Sequence, residues 1–303
     1  TIANTLVGNG FWECETFSFY SPKSFEMIRL PADSPLRDAV KIMNPLGEDT
    51  SIMRTTALPC MMEVLGRNWA SRNETAALYE QATEYFPTEN PEDLPVERQK
   101  IILGGYGEDW DYLAVKGVVE GLLAAAGITE YQVLRNSEGA TWHPGRCGDI
   151  YVPVRDAEGK SKMEKLGTLG EIHPAVADNY GIKPRVVMAD ISLDVLFDAR
   201  GGTPEFKALP RYPAITRDLA LVAAEDVPAA EIAGRIKASA GKNLESMALF
   251  DVYTGEKLGA GKKSLAYSLV LRGRDATLTD EDADRAVSKI LKSLSEIDVV
   301  LRS

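Results

Sequence analysis

Cysteine and histidine are both scarce in this chain of 303 residues, which removes most metal and redox chemistry at the outset. The three cysteines, Cys14, Cys60 and Cys147, lie far apart with no CxxC pair. Neither a disulfide framework nor a cysteine zinc site is expected, and the thiols read as reduced and partly buried. The two histidines, His143 and His173, each precede a proline and read as turn or packing residues rather than catalytic ones. No metal site is expected. The chain also lacks a run of about 18 apolar residues, and no basic segment followed by a hydrophobic stretch stands at its start. Neither a membrane span nor a signal peptide is expected, and the location implied is cytoplasmic.

What is present is a globular composition, 45% hydrophobic and 26% charged, enough for a sizeable core and about two domains. The formal charge of -11 argues against a broad basic surface. Its distribution is uneven: residues 205–303 hold 15 Lys and Arg against 15 Asp and Glu, so the whole excess lies in residues 1–204. The neutral C-terminal part is therefore the better candidate for contact with nucleic acid.

The clearest boundary is "DARGGTPEFKALPRYP", residues 198–213, which reads as an exposed linker. "PTENPEDLPVERQ", residues 87–99, reads as a long surface loop. Before the linker, residues 1–9 suit a short helix stopping at Gly10, and "FWECETFSFY" reads as one aromatic-rich strand. Leu58, Met61, Met62, Leu65 and Trp69 recur at helical spacing, predicting a helix over 55–70. "TAALYEQATEYF" and "IILGGY" read as strands, and 112–126 as a helix with Leu113, Val118, Val119, Leu122 and Leu123 apolar. Further strands are expected at 131–134, 149–154, 166–172 and 185–195. The first domain is thus α+β with a largely antiparallel sheet.

After the linker the order is βαββαβ: "ITRDLALVAA", a helix opened by Pro228, "LESMALFDVY", "SLAYSLVLRG", a second helix and "DVVLRS". That is the split βαβ arrangement of ferredoxin-like domains. Thr279 and Asp282 form a candidate capping box, and Ala283, Val287, Ile290, Leu294 and Ile297 make one apolar stripe. Period-2 alternation sets Leu265, Tyr267, Leu269 and Leu271 on a bulky face and leaves Ala266, Ser268 and Val270 opposite. In "FDVY", Phe250 and Val252 point one way, Asp251 and Tyr253 the other. The helices need the bulky face, so the small one stays open, with a tyrosine at its rim and Lys257, Lys262 and Lys263 grouped beyond. Such a face suits an unstacked base, and the lysines suit phosphates. A solvated hairpin tip, with Tyr253 ending a strand, is the plainer alternative on pattern alone.

These segments resemble a known family. "RYPAITRDLALVAAEDVPAAEI", "LFDVYTGEKLGAGKKSLAYSLVLRGRDATLTDEDAD" and the closing "LRS" look like the ferredoxin-fold anticodon-binding domain of the bacterial phenylalanyl-tRNA synthetase β subunit. "NPLGEDTSIMRTTALPCMMEVLGRN", "LYEQATEYF", "HPGRCGDIYV" and "LGEIHP" resemble its catalytic-like domain, in order. The resemblance implies a class II synthetase-like assembly domain over 1–200 and the anticodon-binding domain over 201–303. It implies a piece of a longer β subunit that pairs with an α subunit as α2β2 and binds tRNA(Phe), with no DNA or membrane partner; the alternative is a stand-alone RNA-binding module that uses the same folds without an α partner. ATP and Mg2+ would serve the holoenzyme, and no cofactor this chain. The anticodon-binding residues carried over are Asp251, Tyr253, Lys262, Lys263 and Ser264. No catalytic residue is implied: Arg72 only imitates the arginine that holds an ATP α-phosphate, and "LGEIHPAVADNYG" has none for the γ-phosphate.

Overall fold

The computed structural model describes residues 2–90, 93–136, 139–156, 158–202, 206, 208–255 and 258–302. Lys257, Ser303 and parts of the two irregular stretches lie outside the described residues. The chain divides into two compact units, Thr1–Pro204 and Glu205–Ser303.

The N-terminal unit is built on a seven-stranded sheet. Its elements in chain order begin with α1 (Ile2–Gly8), β1 (Trp12–Glu13), β2 (Phe19–Tyr20), α2 (Lys23–Met27), β3 (Ile52–Met53), α3 (Leu58–Ala70), β4 (Ala76–Phe86) and β5 (Val96–Tyr106). They continue with α4 (Tyr112–Ala125), β6 (Gln132–Arg135), β7 (Trp142–Arg155), β8 (Ser161–Ile172), α5 (Pro174–Asn179), β9 (Val186–Ser192) and α6 (Leu193–Ala199). The strand order is β1-β4-β5-β9-β8-β7-β6, and only β1 with β4 runs parallel. Successive residues alternate between faces. One face, with Tyr79, Ile101, Leu103, Val187 and Ala189, packs on Leu6 of α1, Val115, Val119 and Leu122 of α4, and Leu193 and Leu196 of α6. The other, with Ala82, Ile102, Tyr106 and Met188, packs on Met61, Met62 and Leu65 of α3 and Val176 of α5. Gly104 makes the second contact close: a Cβ there would stand 2.7 Å from Met61 Cγ and 2.9 Å from Leu65 Cδ1.

Several expectations are corrected. "FWECETFSFY" is not one strand: β1 joins β4 while β2 joins β3 in a separate two-stranded sheet. Between them Thr16 turns inward to Glu80, its hydroxyl donating at 2.8 Å. β5 begins at Val96, inside the expected loop, because its first four residues pair with β4 as an arm that buries no face. Leu113 is 70% exposed; Val115 takes the inward position, with Asp111 capping α4 by accepting from the Ala114 amide. The strand expected to reach 195 stops at Ser192, whose hydroxyl accepts from the Val195 amide and starts α6. β7 and β8 outrun their expected lengths, and α2 and α5 were not anticipated.

The C-terminal unit comprises β10 (Ile215–Ala224), α7 (Ala229–Ala240), β11 (Leu244–Tyr253), β12 (Lys262–Leu271), α8 (Asp280–Ser295) and β13 (Val300–Leu301). The antiparallel order β11-β12-β10-β13 is the ferredoxin-like one. Leu219, Leu221, Leu265, Tyr267 and Leu269 pack against Ile232 and Ile236 of α7 and Ile290 and Leu294 of α8. The capping box at Thr279 and Asp282 forms, with each side chain bonded to the other residue's backbone amide. Both helices therefore lie on the bulky face, and the small face stays uncovered by them.

Candidate nucleic-acid interface

The open face is set by the pairing register. Asp251 stands opposite Ala266, which stands opposite Ala220; Tyr253, Ser264, Val222 and Val300 form the next row across all four strands. A bulge between Leu249 and Asp251 takes Phe250 out of register, leaving it 59% exposed. Because of that bulge, Leu249 and Val252 both pair with bulky-face residues while Asp251 and Tyr253 face the open side. Phe250 therefore does not share Val252's face in the simple alternation expected of it.

Tyr253 is the centre of this surface. The Arg302 guanidinium carbon lies 5.2 Å from its ring centroid, a cation–π contact. Arg302 continues the β13 line, its amide donating to the Ala220 carbonyl at 2.8 Å. The strands bearing the two residues are three spacings of about 4.8 Å apart, so they meet only because Val222 and Ser264 between them are small. Ser264 is buried. The tip of the ring also lies close to the loop, where a Cβ on Gly255 would stand 2.4 Å from the Tyr253 hydroxyl oxygen. Beside it opens a shallow depression of about 430 Å³, lined by Gly255, Gly259, Ala260, Gly261 and Lys262.

The two lysines separate. Lys262 stands opposite Ala224, in line with Ser264 on the open side, and is exposed with no ion-pair partner among the described residues. Lys263 stands opposite Ala223 of the core side, and its ammonium donates to the Glu225 carbonyl at 2.8 Å. The structure thus brings Asp251, Tyr253, Ser264 and Lys262 to one face and turns Lys263 away. Arg302 joins them. It escaped the reading of the sequence, although alternation from Val300 places it on this side.

In the N-terminal unit the polar interior is internally paired. Arg54 binds Glu80 at 2.8 Å and Lys100 binds Asp190 at 2.9 Å, while nearer the surface the half-exposed Lys165 binds Asp149 at 2.9 Å. Cations so engaged do not fit a triphosphate site. Arg72 is an exposed residue with φ +65° in the turn closing α3, not in a loop between two strands. Nδ1 of His143 accepts from the Gly145 amide within β7, and Nδ1 of His173 accepts from the Ala175 amide as the N-cap of α5. All three thiols are free, and burial pushes those of Cys14 and Cys147 up to about 11.

Glu84 is the exception among the paired acids. Its Oε1 accepts from the Ala57 amide at 3.1 Å, serving as the cap that α3 otherwise lacks. Lys100 is 3.9 Å from its other oxygen. Burial, then the charge of Asp190, pushes the carboxyl up to about 8, against Lys100, the Ala57 amide and Arg54. A folded-state value above the unfolded 4.5 means that the folded chain holds the extra proton between those values. The associated stability is present at low pH and lost as pH rises through about 8. Thermal melts at pH 6 and pH 9 are expected to show Glu84→Gln gaining on the parent as pH rises. A pH-independent difference between the two would contradict this.

Similarity to known proteins agrees with the architecture. Residues 1–193 match the family model of the phenylalanyl-tRNA synthetase beta chain CLM domain, and residues 210–302 that of the ferredoxin-fold anticodon binding domain. The phenylalanine–tRNA ligase beta subunit of Clostridium acetobutylicum is 43% identical over 98% of this chain and 36% of its own length. That of Clostridium tetani is 42% identical over 97% of this chain and 36% of its own. The chain therefore spans little more than a third of these relatives. Among solved structures, a pyrrolysyl-tRNA synthetase from Desulfitobacterium hafniense aligns over 64% of this chain and 65% of its own at 16% identity, with a TM-score of 0.49. Among the described residues, no helix is long and apolar enough to cross a membrane. With both family models matched in order and near-full coverage by such relatives, the chain belongs to the phenylalanyl-tRNA synthetase beta chain family.

Proposed function

We propose that the chain acts within a cytoplasmic phenylalanine–tRNA ligase as a non-catalytic part of the β subunit. Its N-terminal unit supports assembly with an α subunit in an α2β2 enzyme, and its C-terminal unit binds the anticodon region of tRNA(Phe). The observation that carries the reading is the open sheet face, where Tyr253 presents a ring beside Lys262 and Asp251 over small residues. Stacking on an aromatic side chain with a cation near the backbone is the general chemistry of single-stranded RNA recognition. ATP and Mg2+ belong in this proposal to the α subunit, because Arg54, Lys100 and Lys165 of this chain are already paired.

The assembly half is tested by mixing the chain with the α subunit of the same organism and measuring complex mass by size exclusion with light scattering. A stable assembly of both chains is expected. Two folded chains that stay apart, even with the rest of the β subunit supplied, would overturn it.

The lysines give a sharper test of the RNA half. Lys262→Ala is expected to lower the slope of log affinity against log salt for the anticodon stem-loop by about 0.7, one phosphate contact on a single strand. Lys263→Ala is expected to change it far less, since its ammonium is held by Glu225. Equal effects from the two would contradict the placement.

A further inference from the structure

The N-terminal unit carries a basic island that the proposed function does not use. Trp142 of β7 pairs with Ile172 of β8 and Cys147 with Gly170, so His143, Pro144, Gly145 and Arg146 together face one residue, Glu171. The side chain of Glu171 is 7% exposed. Its carboxylate takes Arg146 Nε at 2.6 Å and lies 3.9 Å from Arg185 Nη1. Both arginines remain outward, at 41% and 76% exposure. A buried acid thus fixes two guanidiniums at the surface, and with Nε of Arg146 engaged, its terminal nitrogens keep donors to offer.

A third arginine converges on the same edge. His173, two residues after Glu171, accepts through Nδ1 from the Ala175 amide and from Arg29 Nη1, at 3.1 and 2.9 Å. With Nδ1 accepting, the ring proton sits on Nε2, a further donor. Burial, then Arg29 and His143, lowers the His173 pKa and keeps the ring neutral. Arg29 itself has φ +56° in the turn that closes α2. Glycine is the ordinary occupant of that conformation, and a side chain there is strained. An exposed arginine in a glycine's place thus adds local positive charge to a unit whose net charge is -11.

We propose that this edge is a second RNA contact, in which the guanidiniums of Arg29, Arg146 and Arg185 and the His173 imidazole hold phosphodiester oxygens outside the anticodon loop. The inference rests on the reading of the chain as a tRNA-binding subunit. Three guanidiniums set against one carboxylate leave net positive charge, and planar forks match phosphate oxygens in pairs. The contact adds affinity without reading sequence.

The test uses the full chain, a tRNA(Phe) transcript and the isolated anticodon stem-loop, with Arg29→Gly and Arg185→Gln combined. Glycine suits the backbone at 29, and glutamine keeps a donor beside Glu171, so the variant is expected to melt like the parent. It should bind the transcript several-fold to about tenfold more weakly, with a salt slope lower by about 1 to 2. Its affinity for the anticodon stem-loop should be unchanged. Unaltered transcript binding, or equal loss for both RNAs, overturns the proposal. So does loss of α-subunit pairing with transcript affinity intact, which would give the island to a protein partner. Failure of the anticodon reading shows separately, as a Tyr253→Ala variant with undiminished affinity for the stem-loop.

Discussion

Replacing Glu80 with alanine is expected to destabilise the N-terminal unit by about 3 to 5 kcal/mol, the cost of leaving one charge of a buried pair alone. Arg54 and Glu80 have side chains 3% and 4% exposed and are 2.8 Å apart. The network around them is closed: Arg54 Nε donates to the Thr83 carbonyl, its Nη1 also to the Thr16 hydroxyl, and that hydroxyl donates to the other Glu80 oxygen. Alanine removes the carboxylate that, among the described residues, is bonded to a guanidinium whose burial keeps water from reaching it. Urea denaturation followed by tryptophan fluorescence reads this unit alone, because all four tryptophans (12, 69, 110 and 142) lie in it. A loss under about 1 kcal/mol would mean that water reaches the pair in solution. Replacing both residues by methionine is expected to recover most of the loss, since the desolvation cost of two charges disappears with them.

That pair also marks where the sequence stops being legible. Glu80 and Glu84 sit four residues apart on β4 with Ala82 between them, on the face that packs against α3. Two acids in that position read as solvent-facing, because alternation reports polarity and not the partner that neutralises it. The partners come from elsewhere in the chain: Arg54 from the segment before α3, Lys100 from β5 and Asp190 from β9. Such tertiary pairing leaves no periodic trace. The two-residue strands β1 and β2 are unreadable for a similar reason, since their partners decide them.

The C-terminal unit was legible where each level agreed. Turn residues, the capping box, the 4, 3, 4 stripe on α8 and the alternation of β12 all specify one arrangement. Which side chains share its open face was legible except at Lys263. Given Leu265 inward, alternation already requires Lys263 inward with Ser264 and Lys262 outward, so the pattern itself separates the two lysines. The bulge at Phe250 and the reach of Arg302 across the sheet were not available, because both depend on how strands are paired.

Tyr253→Ala is expected to weaken binding of the anticodon stem-loop by about 1 to 3 kcal/mol, the range for losing one base–aromatic stack. That corresponds to roughly 5- to 150-fold in affinity. The salt slope should stay as it is, since stacking releases no counterions; this separates the tyrosine from Lys262, whose removal acts on the slope. Tyr253→Phe should bind within about twofold of the parent, because the ring carries the stack. In the free chain one face of that ring already meets Arg302, a contact of about 0.5 to 1 kcal/mol at an exposed site. Arg302→Ala therefore distinguishes two arrangements. If the base takes the ring's other face, the arginine remains as an outer layer and its loss weakens binding together with Tyr253→Ala, non-additively. If the base displaces the guanidinium, the variant binds as well as or better than the parent at high salt. Unchanged affinity of Tyr253→Ala would remove the ring from the interface and leave only the electrostatic contribution of Lys262 and its neighbours.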